Sequence, residues 1–90
     1  MIVIAGAEWC SPCRTAKEQI GKIAYILGIQ LGVEDMGKRE NFNENKGRLE
    51  DQGYVFTRKG IPAFFKNKKQ IDPPITLRHE HIEEWLRKYS

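Results

Sequence analysis

Ninety residues with 15 basic and 12 acidic side chains, a formal net charge of +3, describe one small domain of mixed charge spanning 1–90. That balance is too slight to mark a nucleic-acid binder, and no apolar run approaches the ~18 residues of a membrane span. The short apolar start has no basic segment before it of the kind a secretory signal carries, and a lone pair of cysteines suits the reducing cytoplasm. A cytoplasmic monomer without nucleic-acid or membrane partners is expected.

Along the chain, Ile2-Val3-Ile4-Ala5 is a short, largely β-branched run ended by Gly6, and reads as a buried strand. From Ser11 to Leu27 the period changes. Ala16, Ile20, Ile23, Ala24 and Leu27 recur at spacings of three and four, which predicts a helix with one apolar face, capped by Cys10 or Ser11 and stopped at Gly28. Ile29, Leu31 and Val33 alternate with Gln30, Gly32 and Glu34 as a second strand, and two strands joined by a helix favour a parallel pair. Lys38 to Gln52 is polar, anchored by Phe42 and Leu49, and predicts an irregular helix because Asn43, Asn45 and Gly47 are weak helix formers. Ile61-Pro62-Ala63-Phe64-Phe65 reads as a third strand with its proline at the start. Lys66-Asn67-Lys68-Lys69 is a hairpin turn, and Gln70-Ile71 a short fourth strand. Arg78 to Tyr89 predicts a last helix with Ile82, Trp85, Leu86 and Tyr89 on one face. The order is β-α-β-α-β-β-α, an α/β chain.

Chemistry concentrates in Trp9-Cys10-Ser11-Pro12-Cys13-Arg14. Cysteines three residues apart can close a disulfide across one helical turn. Disulfide exchange needs a thiolate. A Cys10 at the helix N-terminus would have its negative charge stabilised by unpaired N–H groups and the helix dipole, below the free-thiol pKa of about 8.5. Cys13 lies one turn further on, within reach of a mixed disulfide on Cys10. Pro12 suits the first helical turn, since it has no N–H to leave unsatisfied, and Arg14 adds positive charge nearby. Two other readings compete with a redox switch: half of a zinc site completed by His79 and His81, and an inert bridge. Their HxH spacing is not that of the usual zinc fingers, and a bridge this short constrains the unfolded chain little.

Two separated motifs give the chain a family resemblance. Ala7-Glu8-Trp9-Cys10-Ser11-Pro12-Cys13-Arg14 is similar to the thioredoxin active-site stretch AEWCGPCK, and Gly60-Ile61-Pro62 before an apolar strand resembles the GIPT segment. The whole chain resembles the thioredoxin–glutaredoxin superfamily, which implies a thioredoxin-like fold in its minimal form, a four-stranded mixed sheet flanked by helices. The resemblance makes Cys10 the attacking and Cys13 the resolving cysteine, and Pro62 a cis-proline facing them. Ile61 would offer its backbone to an extended substrate, and Trp9 would join the contact surface. Ser11, Pro12 and Arg14 would tune the pair. The plainer readings are that Pro62 only starts a strand and Trp9 is packed in the core.

Departures accompany the likeness. The chain starts at the strand before the active site, without the first strand and helix of full-length thioredoxins. Ile4 stands where thioredoxins carry a buried aspartate, so the proton of Cys13 would go to water, Glu8 or the leaving thiolate. Ser11 replaces a glycine. Proline precedes the second cysteine, unlike the CPYC of glutaredoxins, and Asp72-Pro73-Pro74-Ile75 stands where glutaredoxins carry Gly-Gly, which argues against a dedicated glutathione site. A basic group, Arg58, Lys59, Lys66, Lys68 and Lys69, either favours an acidic partner or blunts the sheet edges as a solvated turn.

The expectation is a thiol–disulfide oxidoreductase that reduces protein disulfides. It needs no cofactor beyond a reversible Cys10–Cys13 disulfide and no metal, and it is fed by a thioredoxin-reductase-like or thiol electron donor. Short redoxins that reduce ribonucleotide reductase are a close comparison. The alternatives are a glutaredoxin-like or oxidising exchange protein, and a partner-binding module of the same surface.

Overall fold

The computed structural model describes residues 1–90. Its elements are β1 (Ile2–Gly6), α1 (Ser11–Leu27), β2 (Leu31–Asp35), a 3₁₀ turn (Arg39–Asn41), α2 (Phe42–Asp51), β3 (Ala63–Lys66), β4 (Lys69–Ile71) and α3 (His79–Tyr89). The strands form one open sheet in the order β2-β1-β3-β4. β1 runs parallel to β2, through the α1 crossover, and antiparallel to β3; β3 and β4 form a hairpin. The protein is therefore an α/β structure with three helices and a mixed four-stranded sheet.

Alternation along β1 divides the core. Ile2 and Ile4 face Ala16, Ile20, Ile23 and Ala24 of α1 and Ile82, Trp85 and Leu86 of α3, with Phe64 of β3 between them. Ala5 faces the other way, into a second cluster with Ala7, Met36, Leu49, Tyr54, Ala63 and Phe65. A central strand covered on both faces is apolar on both, which is why this one reads as an unbroken run. The two faces are covered unequally. α1 and α3 supply seven fully or nearly fully buried side chains to the first, whereas Leu49 is the one buried residue of α2.

Polar ties seat the outer pieces. Trp85 stands edge-on to Phe64 with ring centroids 5.2 Å apart, and its Nε1–H donates to the carbonyl of Asp72 at 2.7 Å, fastening α3 to the segment after β4. The Tyr54 hydroxyl donates to the Glu34 carboxylate at 3.1 Å. Burial first, then that hydrogen bond and the Glu34 charge, raise the Tyr54 phenol above its ordinary value.

Several boundaries differ from the sequence expectation. β2 begins at Leu31 rather than Ile29, because Gly28 takes the left-handed conformation (φ 70°) and the Ile29 N–H turns back to the Ala24 carbonyl, 2.8 Å away. This Schellman closure uses the first residue that the alternation assigned to the strand. Val33, on the alternating apolar positions of the strand, is 53 % exposed, as β2 lies at the edge of the sheet. The segment read as one irregular helix opens with the 3₁₀ turn and becomes α-helical only at Phe42. β3 begins at Ala63, which pairs with Ala5; Ile61 and Pro62 stand before the ladder. The last helix starts at His79, with Arg78 as its cap. Asn67 and Lys68 form the hairpin turn with positive φ (52° and 67°), the backbone that two-residue hairpins favour.

One contact had no sequence signal. Val55 forms an isolated parallel bridge with Lys69, donating to the Lys68 carbonyl at 2.8 Å and accepting from the Gln70 N–H at 3.1 Å. It covers part of the outer edge of β4. No helix is long and apolar enough to cross a membrane.

Candidate functional site

The site lies where β1 hands over to α1. Ala7 to Trp9 turn the chain, closed by the Cys10 N–H donating to the Ala7 carbonyl at 3.1 Å. Cys10 then keeps an extended backbone (φ −98°, ψ 104°) as the N-cap of α1, and Pro12 fills the first turn. The Cys10 sulfur accepts the Cys13 N–H at 3.3 Å, so sulfur takes the role that a serine or aspartate oxygen usually has at a cap. The two cysteines are joined in a disulfide, with Cα atoms 5.2 Å apart, inside the ordinary range for such bridges. Cys10 is 7 % exposed and Cys13 3 %.

Each sulfur faces a different recess. Below and behind Cys13 is a cleft lined by Gly6, Glu8, Arg14, Lys17, Val33 and Asp35, with Ile4 at its floor. Gly6 permits this arrangement. A Cβ built there would stand 2.9 Å from Cβ and 3.2 Å from Sγ of Cys13, closer than packed atoms tolerate. The cleft brings two carboxylates and two cations to the rear of Cys13, while Ile4 offers it no titratable group.

Beside Cys10 runs a groove lined by Trp9, Arg39, Phe42, Asn43, Gly60 and Ile61. Trp9 is not in the core. It is 37 % exposed, with Nε1–H donating to the Gly37 carbonyl at 2.8 Å, and its ring meets Phe42 edge-on at 6.5 Å. On the opposite wall the Ile61 carbonyl oxygen lies 3.8 Å from the Cys10 sulfur. The Ile61–Pro62 peptide is cis, and no backbone hydrogen bond within the protein takes up the N–H or C=O of Ile61.

The structure thus gathers Trp9, Cys10, Cys13, Ile61 and Pro62 in one place, with Ser11, Pro12 and Arg14 in the first turn of α1. It does not gather the basic group. Arg58 is ion-paired with Asp72, and its N–H and that of Thr57 both donate to Gln70 Oε1. Lys68 reaches back to donate to the Gln52 carbonyl at 2.6 Å. His79 and His81 sit in the first turn of α3, against Glu83 and Thr76 respectively, and no three His, Cys, Asp or Glu side chains converge as metal ligands.

Sequence reading missed Gly6, Arg39, Phe42 and Asp35 as site residues. Gly6 was legible only as the end of a strand, because a steric role needs knowledge of what lies above it. Arg39 and Phe42 come to Cys10 across about thirty residues, through the loop that Gly37 and Asn45 hold: the Asn45 amide donates to the Met36 carbonyl at 2.8 Å, and the Gly37 N–H to Asp35 Oδ1 at 2.8 Å.

Compared with known proteins, the chain matches no family model and no curated protein sequence.

Proposed function

We propose that this protein is a thiol–disulfide oxidoreductase of the thioredoxin-like kind, which reduces disulfides in protein substrates through a reversible Cys10–Cys13 bridge. The observation that carries this reading is the Cys10 sulfur at the N-cap of α1, hydrogen-bonded by the Cys13 N–H, bridged to Cys13 and open to a groove. The mixed four-stranded sheet and the order of elements are compatible with a minimal thioredoxin-like fold.

The chemistry balances with the chain's own groups. In the reduced protein, the Cys10 thiolate attacks one sulfur of the substrate disulfide. The other substrate sulfur leaves as a thiolate and takes a proton from solvent. Cys13 gives up its proton through the cleft behind it, where Glu8 and Asp35 stand, and attacks the Cys10 sulfur. The second substrate thiolate departs. Two electrons have passed to the substrate, and Cys10 and Cys13 are again a disulfide. A thioredoxin-reductase-like enzyme or a low-molecular-weight thiol returns two electrons and one proton, restoring the Cys10 thiolate and the Cys13 thiol. The N–H of Cys13 and the start of α1 stabilise negative charge on Cys10 whenever it is attacker or leaving group. The free backbone of Ile61 beside it suits pairing with an extended substrate segment. In the proposal the protein acts in the cytoplasm, and ribonucleotide reductase is a partner to test.

Equilibration in glutathione buffers, with thiol state read by alkylation and mass, tests the reading. A potential near about −270 mV makes the protein a reductant, and one near about −120 mV makes it an oxidant. Absence of a reversible internal disulfide overturns the proposal. The exposed Trp9 wall favours one reading of another class, a module that grips a partner by this groove with redox incidental. A protein with both cysteines changed to serine separates the two: a gripping module keeps its partner, and an oxidoreductase loses turnover.

A further inference from the structure

The groove beside Cys10 has one charged side chain in its lining, Arg39, and no carboxylate. The Arg39 guanidinium carbon stands 4.6 Å from the centroid of the Trp9 ring. That ring is itself fixed, through Nε1–H on the Gly37 carbonyl and the edge of Phe42. A guanidinium over an indole face is held by the ring's quadrupole, which leaves its N–H donors uncommitted. Arg39 takes part in none of the five ion pairs of the protein. Lys59, which precedes Gly60 in the chain and is likewise in no ion pair, lines no part of the groove, so Arg39 is its one cation. The acids nearest Arg39 in sequence, Glu40, Asp35, Glu34 and Glu44, line no part of the groove. The result is an apolar channel with the reactive sulfur at its side, a free backbone along one wall, and an unpaired, pre-positioned cation on the other.

We infer that Arg39 is a specificity determinant that selects disulfides whose cysteine is flanked by a carboxylate, the occupant being an extended acidic segment lying between Trp9 and Ile61. This rests on the disulfide-exchange reading above. Arg39 exchanges no electrons or protons. It binds a carboxylate on the segment that Cys10 attacks, a pairing its forked donors fit, while its cation draws acidic substrates to the groove.

The test uses reduced protein and two cystine peptides identical except for the residues beside the cystine, Asp in one and Lys in the other. Exchange is quenched with acid, followed by alkylation and mass, at low ionic strength. The native protein is expected to reduce the acidic peptide faster. Arg39→Gln is expected to lower the acidic-to-basic rate ratio about twofold to fivefold, the upper part of the range of an exposed charge pair. Arg39→Lys keeps the cation and retains part of the ratio. Lys88→Gln, which removes an equal charge from the far end of α3, leaves the ratio unchanged, and added salt brings the native ratio toward that of Arg39→Gln. Arg39 is exposed, so circular dichroism of the variant is expected to match the native protein. An unchanged ratio in Arg39→Gln, or an equal fall in Lys88→Gln, overturns the inference. Reduction of neither peptide by native protein overturns disulfide exchange itself, and with it this inference, by a result distinguishable from the other two.

Discussion

Gly6 and Cys13 are in such close approach that the second has its place only because the first has no side chain: a Cβ on residue 6 would stand 2.9 Å from Cβ of Cys13. The neighbour in the way is the near end of a side chain on a helix, which cannot swing aside. Gly6→Ala is therefore expected to push α1 off β1 at its first turn and to cost about 1–3 kcal/mol, the range for overpacking. Urea unfolding of the oxidised protein measures it, and a midpoint equal to that of the native protein would contradict the packing described.

The two cysteines face different recesses, and their accessibilities set an order of reactivity. In the reduced protein Cys10, capping α1 and bordering the groove, is expected to be alkylated by iodoacetamide at least about tenfold faster than Cys13 at neutral pH, because thiolate character and access both favour it. Peptide mass mapping after a short pulse reads the order. Equal labelling, or Cys13 first, would sink the assignment of Cys10 as the attacking residue.

The Tyr54–Glu34 pair makes stability depend on alkaline pH. The folded phenol holds its proton more tightly than the unfolded one, whose value is 10.0. The contribution is complete below that value and is lost as pH rises through the higher folded one. Tyr54→Phe is expected to lose about 1 kcal/mol at pH 8 and to show a gentler decline above pH ~10 than the native protein. Denaturant unfolding at both pH values checks it; parallel declines in the two proteins would refute it.

Trp85 joins α3 to the chain after β4 by its Nε1–H bond to the Asp72 carbonyl. Trp85→Phe keeps much of the ring in the core but leaves that partly buried carbonyl without its donor, at an expected cost of about 1–3 kcal/mol. The site is remote, so the Cys10–Cys13 equilibrium with glutathione is expected to stay at the native value. Unfolding curves and alkylation patterns of the variant test the two halves of this statement.

How far the sequence could be read depended on the distance over which each feature is determined. Elements were legible because hydrophobic periodicity is local: α1 over Ser11–Leu27, β1, the Asn67-Lys68 turn and the apolar stripe of α3 all lie where the pattern puts them. Boundaries slipped where a backbone group had two possible partners, as at Ile29, which closes a helix instead of opening a strand. Val33 alternates correctly, but sequence does not reveal that its strand lies at the edge of the sheet, where Val33 is left half exposed. In the candidate site, the cysteines, Trp9 and the Ile61-Pro62 segment stood out as motifs. Arg39 and Phe42 carried no motif, and what brings them to Cys10 is the path of the loop from Asp35 to Lys38, shaped by the local Gly37 N–H bond to Asp35 and tied down by the Asn45 bond to the Met36 carbonyl and the Trp9 bond to the Gly37 carbonyl.

The unequal cover of the sheet has a consequence for where the molecule loosens first. α2 is held by one fully buried side chain, Leu49, against the several that fix α1 and α3. Segments with few buried apolar contacts open at lower free energy than the rest, so amide protons of α2 are expected to exchange with solvent ahead of those in the opposite layer. The wall carrying Arg39 and Phe42 belongs to this softer layer, whereas the sulfurs are bolted to α1. Opening of that layer would change the width of the groove and leave Cys10 and Cys13 in place: one jaw rigid, the other compliant.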